Sequence, residues 1–224
     1  MNPNDYFKLI DDAYARHDSS EVEKVIKQTI EMSEDEFGKD SSIHAALLSE
    51  LGGFYRSEKR YPESEDYFNR ALAVLEECGR ADSANYATVL NNLAGTYRRM
   101  GAYDKAEKTF SQCLDMYKRH IGELNVVYAS GLNNLALVEI DLKNYDKAME
   151  YFNQANSILD KIPYAQEEKA TSLSNMASLY FQDGKYQEAL DHVNQALEIF
   201  RRLNSVRSEH YDAAVHLYSI LTER

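Results

Sequence analysis

Tryptophan does not occur in this chain of 224 residues, and proline occurs only at Pro3, Pro62 and Pro163. With so few positions lacking a backbone N–H, nearly the whole chain is free to run as helix. Cysteine appears twice, at Cys78 and Cys113, which excludes a disulfide framework or a paired-cysteine metal knuckle. Both fall in apolar-periodic stretches, where a small buried side chain is expected. No run approaches the roughly twenty apolar residues that span a bilayer. The opening Met-Asn-Pro-Asn-Asp-Tyr lacks the basic-then-apolar order of a signal peptide, so a cytoplasmic location is expected. Positive charge is scarce as well: 25 Lys and Arg stand against 37 Asp and Glu, a net charge of −12. Nucleic-acid binders carry basic surfaces that release counterions, and anionic headgroups repel an acidic protein. Neither nucleic acid nor membrane is expected as a partner.

What the chain does have is a period. Leu93-Ala94-x-x-Tyr97 is followed by Gly101-x-Tyr103-x-x-Ala106-x-x-x-Phe110-x-x-Cys113-Leu114. A shift of 42 positions downstream meets Leu135-Ala136, Tyr145, Ala148, Phe152 and Ala155. A further 41 meets Met176-Ala177, Tyr180, Gly184, Tyr186, Ala189, Val193 and Ala196-Leu197. A shift of 42 upstream meets Leu51-Gly52, Tyr55, Tyr61, Ser64, Phe68 and Ala71-Leu72. Each copy holds two apolar-periodic helical stretches and a short turn. Gly52, Ala94, Ala136 and Ala177 are small where the two helices of a pair must approach closely. Ala106, Ala148 and Ala189 play that part on the second helix, and Phe110 and Phe152 are placed to wedge into the next pair. Pro62 sits at the start of a second helix, where its missing N–H does no harm.

At these residues the sequence resembles the tetratricopeptide repeat. The long period and the Leu-Asn-Asn-Leu-Ala wording at 90–94 and 132–136 look most like the kinesin light chain type of it. The resemblance is detailed over residues 41–203. Departures are the absent tryptophan, the lack of a proline closing the second helix, and Glu139 and Lys143 in place of Tyr and Gly. The fold expected is all-α: a right-handed superhelical solenoid of antiparallel helix pairs in one domain over 1–224. Its parts are a divergent pair over 1–40, units over 41–82, 83–124, 125–165 and 166–206, and a capping helix over 207–224. The last helix is apolar on most faces, so it either folds back on the preceding pair or serves a homodimer; ordinary packing is the stronger expectation.

Chemistry has no foothold in the pattern. No His-Glu-x-x-His, glycine-rich phosphate loop or metal-ligand spacing is present, the six histidines are scattered, and neither catalysis nor a cofactor or metal is expected. Binding is different. First helices line the concave face of such a stack, and three of them carry matching pairs: Asn91-Asn92, Asn133-Asn134 and Ser174-Asn175, with Ser49-Glu50 in the first copy. An asparagine amide both donates to and accepts from an extended backbone, or else bonds to a neighbouring helix and fixes the stack. In proteins similar to this one, an asparagine matching Asn92, Asn134 and Asn175 often holds a bound peptide. One turn on lie Arg56, Arg98 and Arg99, suited to carboxylates. The third and fourth copies carry Ile140-Asp141 and Phe181-Gln182 there instead. The expected function is a non-enzymatic scaffold or adaptor that holds an extended segment of a protein or peptide partner in the concave groove. Its rivals are a peptide-sensing regulator like the bacterial pheromone receptors, and a structural protein that self-assembles through its last helix.

Overall fold

The computed structural model describes residues 3–206 and 208–223; the ends of the expected terminal segments, at positions 1, 2, 207 and 224, lie outside it. Among the described residues there are eleven α-helices and no strand. They are α1 (Pro3–Tyr14), α2 (Ser19–Phe37), α3 (Ser42–Ser57), α4 (Tyr61–Glu77), α5 (Ala84–Arg99), α6 (Tyr103–His120), α7 (Val126–Asp141), α8 (Tyr145–Leu159), α9 (Gln166–Gln182), α10 (Tyr186–Arg202) and α11 (Glu209–Thr222). They gather into two compact units, residues 1–116 and 117–224, divided within α6.

The same turn closes four first helices. The residue two past the end adopts a left-handed backbone at Lys59 (φ 60°), Gly101 (φ 76°), Lys143 (φ 63°) and Gly184 (φ 78°). Its N–H and the next one bond back to the last turn: Lys59 N to Arg56 O and Arg60 N to Tyr55 O, and likewise Lys143 N to Ile140 O and Asn144 N to Glu139 O. This is the Schellman arrangement, which satisfies carbonyls that the helix end would otherwise strand. Lys143, which departs from the glycine of the repeat pattern, therefore keeps the geometry at some conformational cost. At the other ends, Ser41, Ser83, Asn125 and Ser208 cap α3, α5, α7 and α11 through their side chains, each cap contributing on the order of 1 kcal/mol.

In the first unit α2 packs on α3, α3 on α4, α4 on α5, and α3 also touches α5. The small residue at 52 is required by packing. A methyl group on Gly52 would lie only 3.0–3.1 Å from the Phe68 ring. Phe68 itself is fully buried, so overpacking here has little room to relax. In the second unit α7 packs on α8, α8 on α9, α9 on α10 and α10 on α11, while α9 also touches α7 and α11. Phe152 sits in a core with Ala136 and Ala148 of its own pair and Ala170, Leu173 and Ala177 of the next, which is the wedge expected from the spacing. Burial of such a ring contributes about 2–3 kcal/mol.

One local expectation needs amendment. Cys113 is buried, but Cys78 is half-buried at the C-cap of α4 rather than inside a helix. There its thiol donates to the Asp40 carbonyl at 2.6 Å. The last helix packs on α10 and α9, in line with the expectation of ordinary packing. Ala214 and Leu217 are buried, Tyr211 stacks edge-on against Phe200 at 6.1 Å, and Val215 and Tyr218 stay exposed.

Candidate functional site

In the first unit, α3 and α5 line a cavity of about 560 Å³, with Leu75 of α4 and Tyr14 of α1 also on its wall. Small side chains make the floor: Ala45, Ala46 and Gly53 on α3. Polar groups border it, among them Glu50, Arg56 and Asn92. Helical spacing explains the grouping. Residues 46, 49, 50, 53 and 56–57 recur at intervals of three and four along α3 and so share one side.

Arg56 is the central side chain. Its Nη1 donates to the backbone carbonyl of Asn92 on α5 at 2.9 Å, and its guanidinium lies 6.0 Å from the Phe68 ring centre. Gly95 makes this reach feasible, since a methyl group there would lie 3.0 Å from Nη1. Burial lowers the Arg56 pKa, the nearby Arg99 charge lowers it further, and Glu50 opposes both. Among the described residues Arg56 has one hydrogen bond and no carboxylate within ion-pair distance. A guanidinium has five donors, so most of this one is left for something else.

Glu50 stands across the same cavity. Burial is the main cause that raises its pKa, and Asp11 adds to it. A hydrogen bond from the Tyr14 hydroxyl and the Arg56 charge pull the other way. The Tyr14 hydroxyl is pushed up in turn by its own burial and by the Glu50 carboxylate. The sequence pattern marks Glu50 at the ladder position without assigning it a role, and does not reach Tyr14. The signal for Glu50 was available, because it occupies the position that Asn92, Asn134 and Asn175 hold in later copies. Tyr14 belongs to the divergent first pair, where no repeat register points to it.

The other expected site residues are distributed as follows. Asn91 and Asn92 are half-buried on α5, and Arg98 and Arg99 are in its last turn, Arg98 half-buried and Arg99 exposed. Arg99 is close enough to Arg56 to act on its charge. In the second unit, Asn133 is 7% exposed and its Oδ1 accepts from Ser172 Oγ of α9 at 2.8 Å. That is the helix-to-helix bond, so this amide is spent on the stack. Asn134 and Asn175 are half-buried on α7 and α9. The second unit has no counterpart of Arg56: Ile140 is buried in its core. No group of three His, Cys, Asp or Glu side chains among the described residues is placed to hold a metal ion. No helix there is long and apolar enough to cross a membrane.

Comparisons with known proteins agree with this architecture. A family model described as tetratricopeptide repeat matches residues 43–119 and 127–202, and a second model of that description matches 91–159. A search of curated protein sequences finds no match. Among solved structures, the chain is similar to BtubC (BKLC) from P. vanneervenii, with 20% identity, 92% of each chain covered and a TM-score of 0.66. It is similar to a putative kinesin light chain with nearly identical TPR-like repeats from Podosopora anserina, at 16% identity, 92% of this chain and 99% of that one, and a TM-score of 0.70. The apo form of RapI gives 18% identity over 95% of this chain and 56% of that one, with a TM-score of 0.66.

Proposed function

The chain belongs to the tetratricopeptide repeat family, and from that premise we propose that it is a binding scaffold whose first unit holds an extended segment of a protein partner in the α3–α5 cavity. The observation that carries this reading is Arg56: a half-buried guanidinium bordering a cavity of about 560 Å³ with no ion-pair partner among the described residues. Removing a charge from water is costly unless an opposite charge and hydrogen bonds meet it. A carboxylate on the incoming segment meets that need in bidentate fashion. Arg99, at the exposed end of α5, adds attraction at the entrance. Asn92 is positioned beside Arg56 to bond the backbone of the segment. Affinity on such a surface resides in a few groove residues rather than in the fold.

The test is a displayed library of random dodecapeptides panned on the full chain. Enriched sequences are expected to bind in a fluorescence-anisotropy titration and to weaken at least about tenfold on Ala46→Trp, which fills the floor of the cavity. A library that yields no enriched sequence, or peptides indifferent to Ala46→Trp in a folded variant, overturns the proposal.

A further inference from the structure

The cavity of the first unit is not a simple basic pocket. At the ladder position where later copies place asparagine, it has Glu50. That carboxylate is half-buried and lines the cavity together with Tyr14, and the Tyr14 hydroxyl and the Asp11 carboxylate both act on its charge. Among the described residues no lysine or arginine lies within ion-pair distance of it. The attractive charge that acts on it is Arg56, whose hydrogen bond goes to the Asn92 carbonyl instead. One cavity therefore displays a carboxylate and a guanidinium, both partly withdrawn from water, neither paired with the other.

Like charges sharpen the contrast at each end. Asp11 adds negative charge beside Glu50, and Arg99 adds positive charge beside Arg56. Both clusters destabilise the empty protein slightly and are relieved by a counter-charge from outside. The spacing sets what can relieve both at once. Glu50 and Arg56 are six residues apart on α3, a rise of about 9 Å. An extended chain advances roughly 3.3 Å per residue, so two or three of its residues cover that distance.

Resting on the reading that this cavity holds an extended segment, we propose that the segment is dipolar: a lysine or arginine side chain meets Glu50 and Asp11, and an aspartate or glutamate two or three residues away meets Arg56 and Arg99. Tyr14 lines the same cavity and offers its hydroxyl to the Glu50 carboxylate, whose other lone pairs are left to accept from the incoming cation. A purely acidic segment satisfies Arg56 but is repelled by the Glu50 end. That repulsion is the part of recognition that excludes wrong partners.

The peptides enriched on the full chain decide the matter. They are expected to share one basic and one acidic residue at a separation of two or three. Their affinity is expected to fall about tenfold on Glu50→Gln and by a similar factor on Arg99→Gln, since a hydrogen bond to a charged group is lost in each. A second panning on Glu50→Lys is expected to yield peptides without the basic residue. Thermal melts followed by circular dichroism establish that each variant is folded; Arg99 is exposed, so its variant reports even if a Glu50 variant does not fold. Peptides that lose binding on Ala46→Trp, yet carry no basic residue or bind Glu50→Gln as they bind the parent, overturn the dipolar segment and leave the cavity reading intact. Peptides indifferent to Ala46→Trp, or no enriched peptide at all, overturn both.

Discussion

Glu139 is the most exacting test of how this chain tolerates departures from its repeat. It stands where the other copies have Tyr55, Tyr97 and Tyr180, and its side chain is 0% exposed. A buried carboxylate must be matched. Asn144 Nδ2 donates to its Oε2 at 2.9 Å, and Lys147 Nζ forms an ion pair with Oε1 at 2.5 Å. The second copy has an uncharged partner at the position of Glu139, with Lys105 over the Tyr97 ring at 5.2 Å. Lys147→Met keeps the stem and deletes the charge. Breaking a fully buried pair costs about 3–5 kcal/mol; Lys147 is 42% exposed, so solvent screens part of this and about 2 kcal/mol is expected. For a protein of this size that is a fall of about 4–8 °C in Tm. Lys105→Met, which forfeits a cation–π contact at an exposed site, should cost about 0.5–1 kcal/mol. The double variant Glu139→Gln, Lys147→Met should recover most of the loss, because a neutral amide no longer needs the cation. The assay is thermal and urea denaturation of all the variants. A Lys147→Met melt no lower than that of Lys105→Met would refute the reasoning.

Two further outcomes follow from the turns and the core. Lys59 and Lys143 hold left-handed φ where Gly101 and Gly184 stand in other copies; relieving about 1–2 kcal/mol at each of the two sites, less about 0.4–1 kcal/mol at each for the greater unfolded-state freedom of glycine, Lys59→Gly with Lys143→Gly should raise the urea midpoint by an amount equivalent to about 1 kcal/mol, and an unchanged or lower midpoint would count against the turn argument. His44 is buried, with Ser33 Oγ 3.3 Å from Nδ1 and Glu34 3.7 Å from Nε2, and its pKa is held below 6.5 by burial first, with Arg70 and Lys39 adding and Glu34 opposing. The unfolded chain therefore takes up the proton first as pH falls: the stability from neutral His44 is complete above 6.5 and declines as pH drops from there through the lower folded value, so urea midpoints should fall with acidification more steeply in the parent than in His44→Gln, and equal slopes would refute it.

Much of the fold was legible because the repeat states each constraint several times. Gly52, Ala94, Ala136 and Ala177 name the close contact, and Phe68 at 3.0 Å from a methyl on Gly52 is the neighbour that enforces it. The candidate site was legible only where it shares the register. Arg56 and Asn92 lie on first helices at repeat positions. That Arg56 bonds the backbone of Asn92 rather than a glutamate depends on the space above Gly95, which no pattern of side chains encodes. Asn133 and Asn134 are adjacent in the same wording, yet one is turned into the α7–α9 contact and bonds Ser172. A rotation of one residue along a helix, about 100°, decides between core and groove, and the sequence repeats both asparagines without marking which is which. Tyr14 lay beyond reach because tertiary contact alone brings α1 to the cavity edge.

Two glycines inside helices connect stability with the site. Glycine in a helix interior costs about 1 kcal/mol relative to alanine, so Gly53 in α3 and Gly95 in α5 both weaken the elements they occupy. Packing in the core does not account for either. At Gly53 a methyl group would meet nothing within 4 Å, and Gly53 borders the cavity. At Gly95 the only neighbours a methyl would meet are atoms of the Arg56 guanidinium. Alanine at 53 would therefore strengthen the helix while narrowing the floor of the cavity. Alanine at 95 would strengthen its helix while pressing Arg56 away from the Asn92 carbonyl. In both places the missing side chain leaves the cavity open or the guanidinium seated, and the helix is weaker for it. Sites that bind commonly stand in that relation to the scaffold around them; here Gly53 lines the cavity and Gly95 makes room for the Arg56 that borders it.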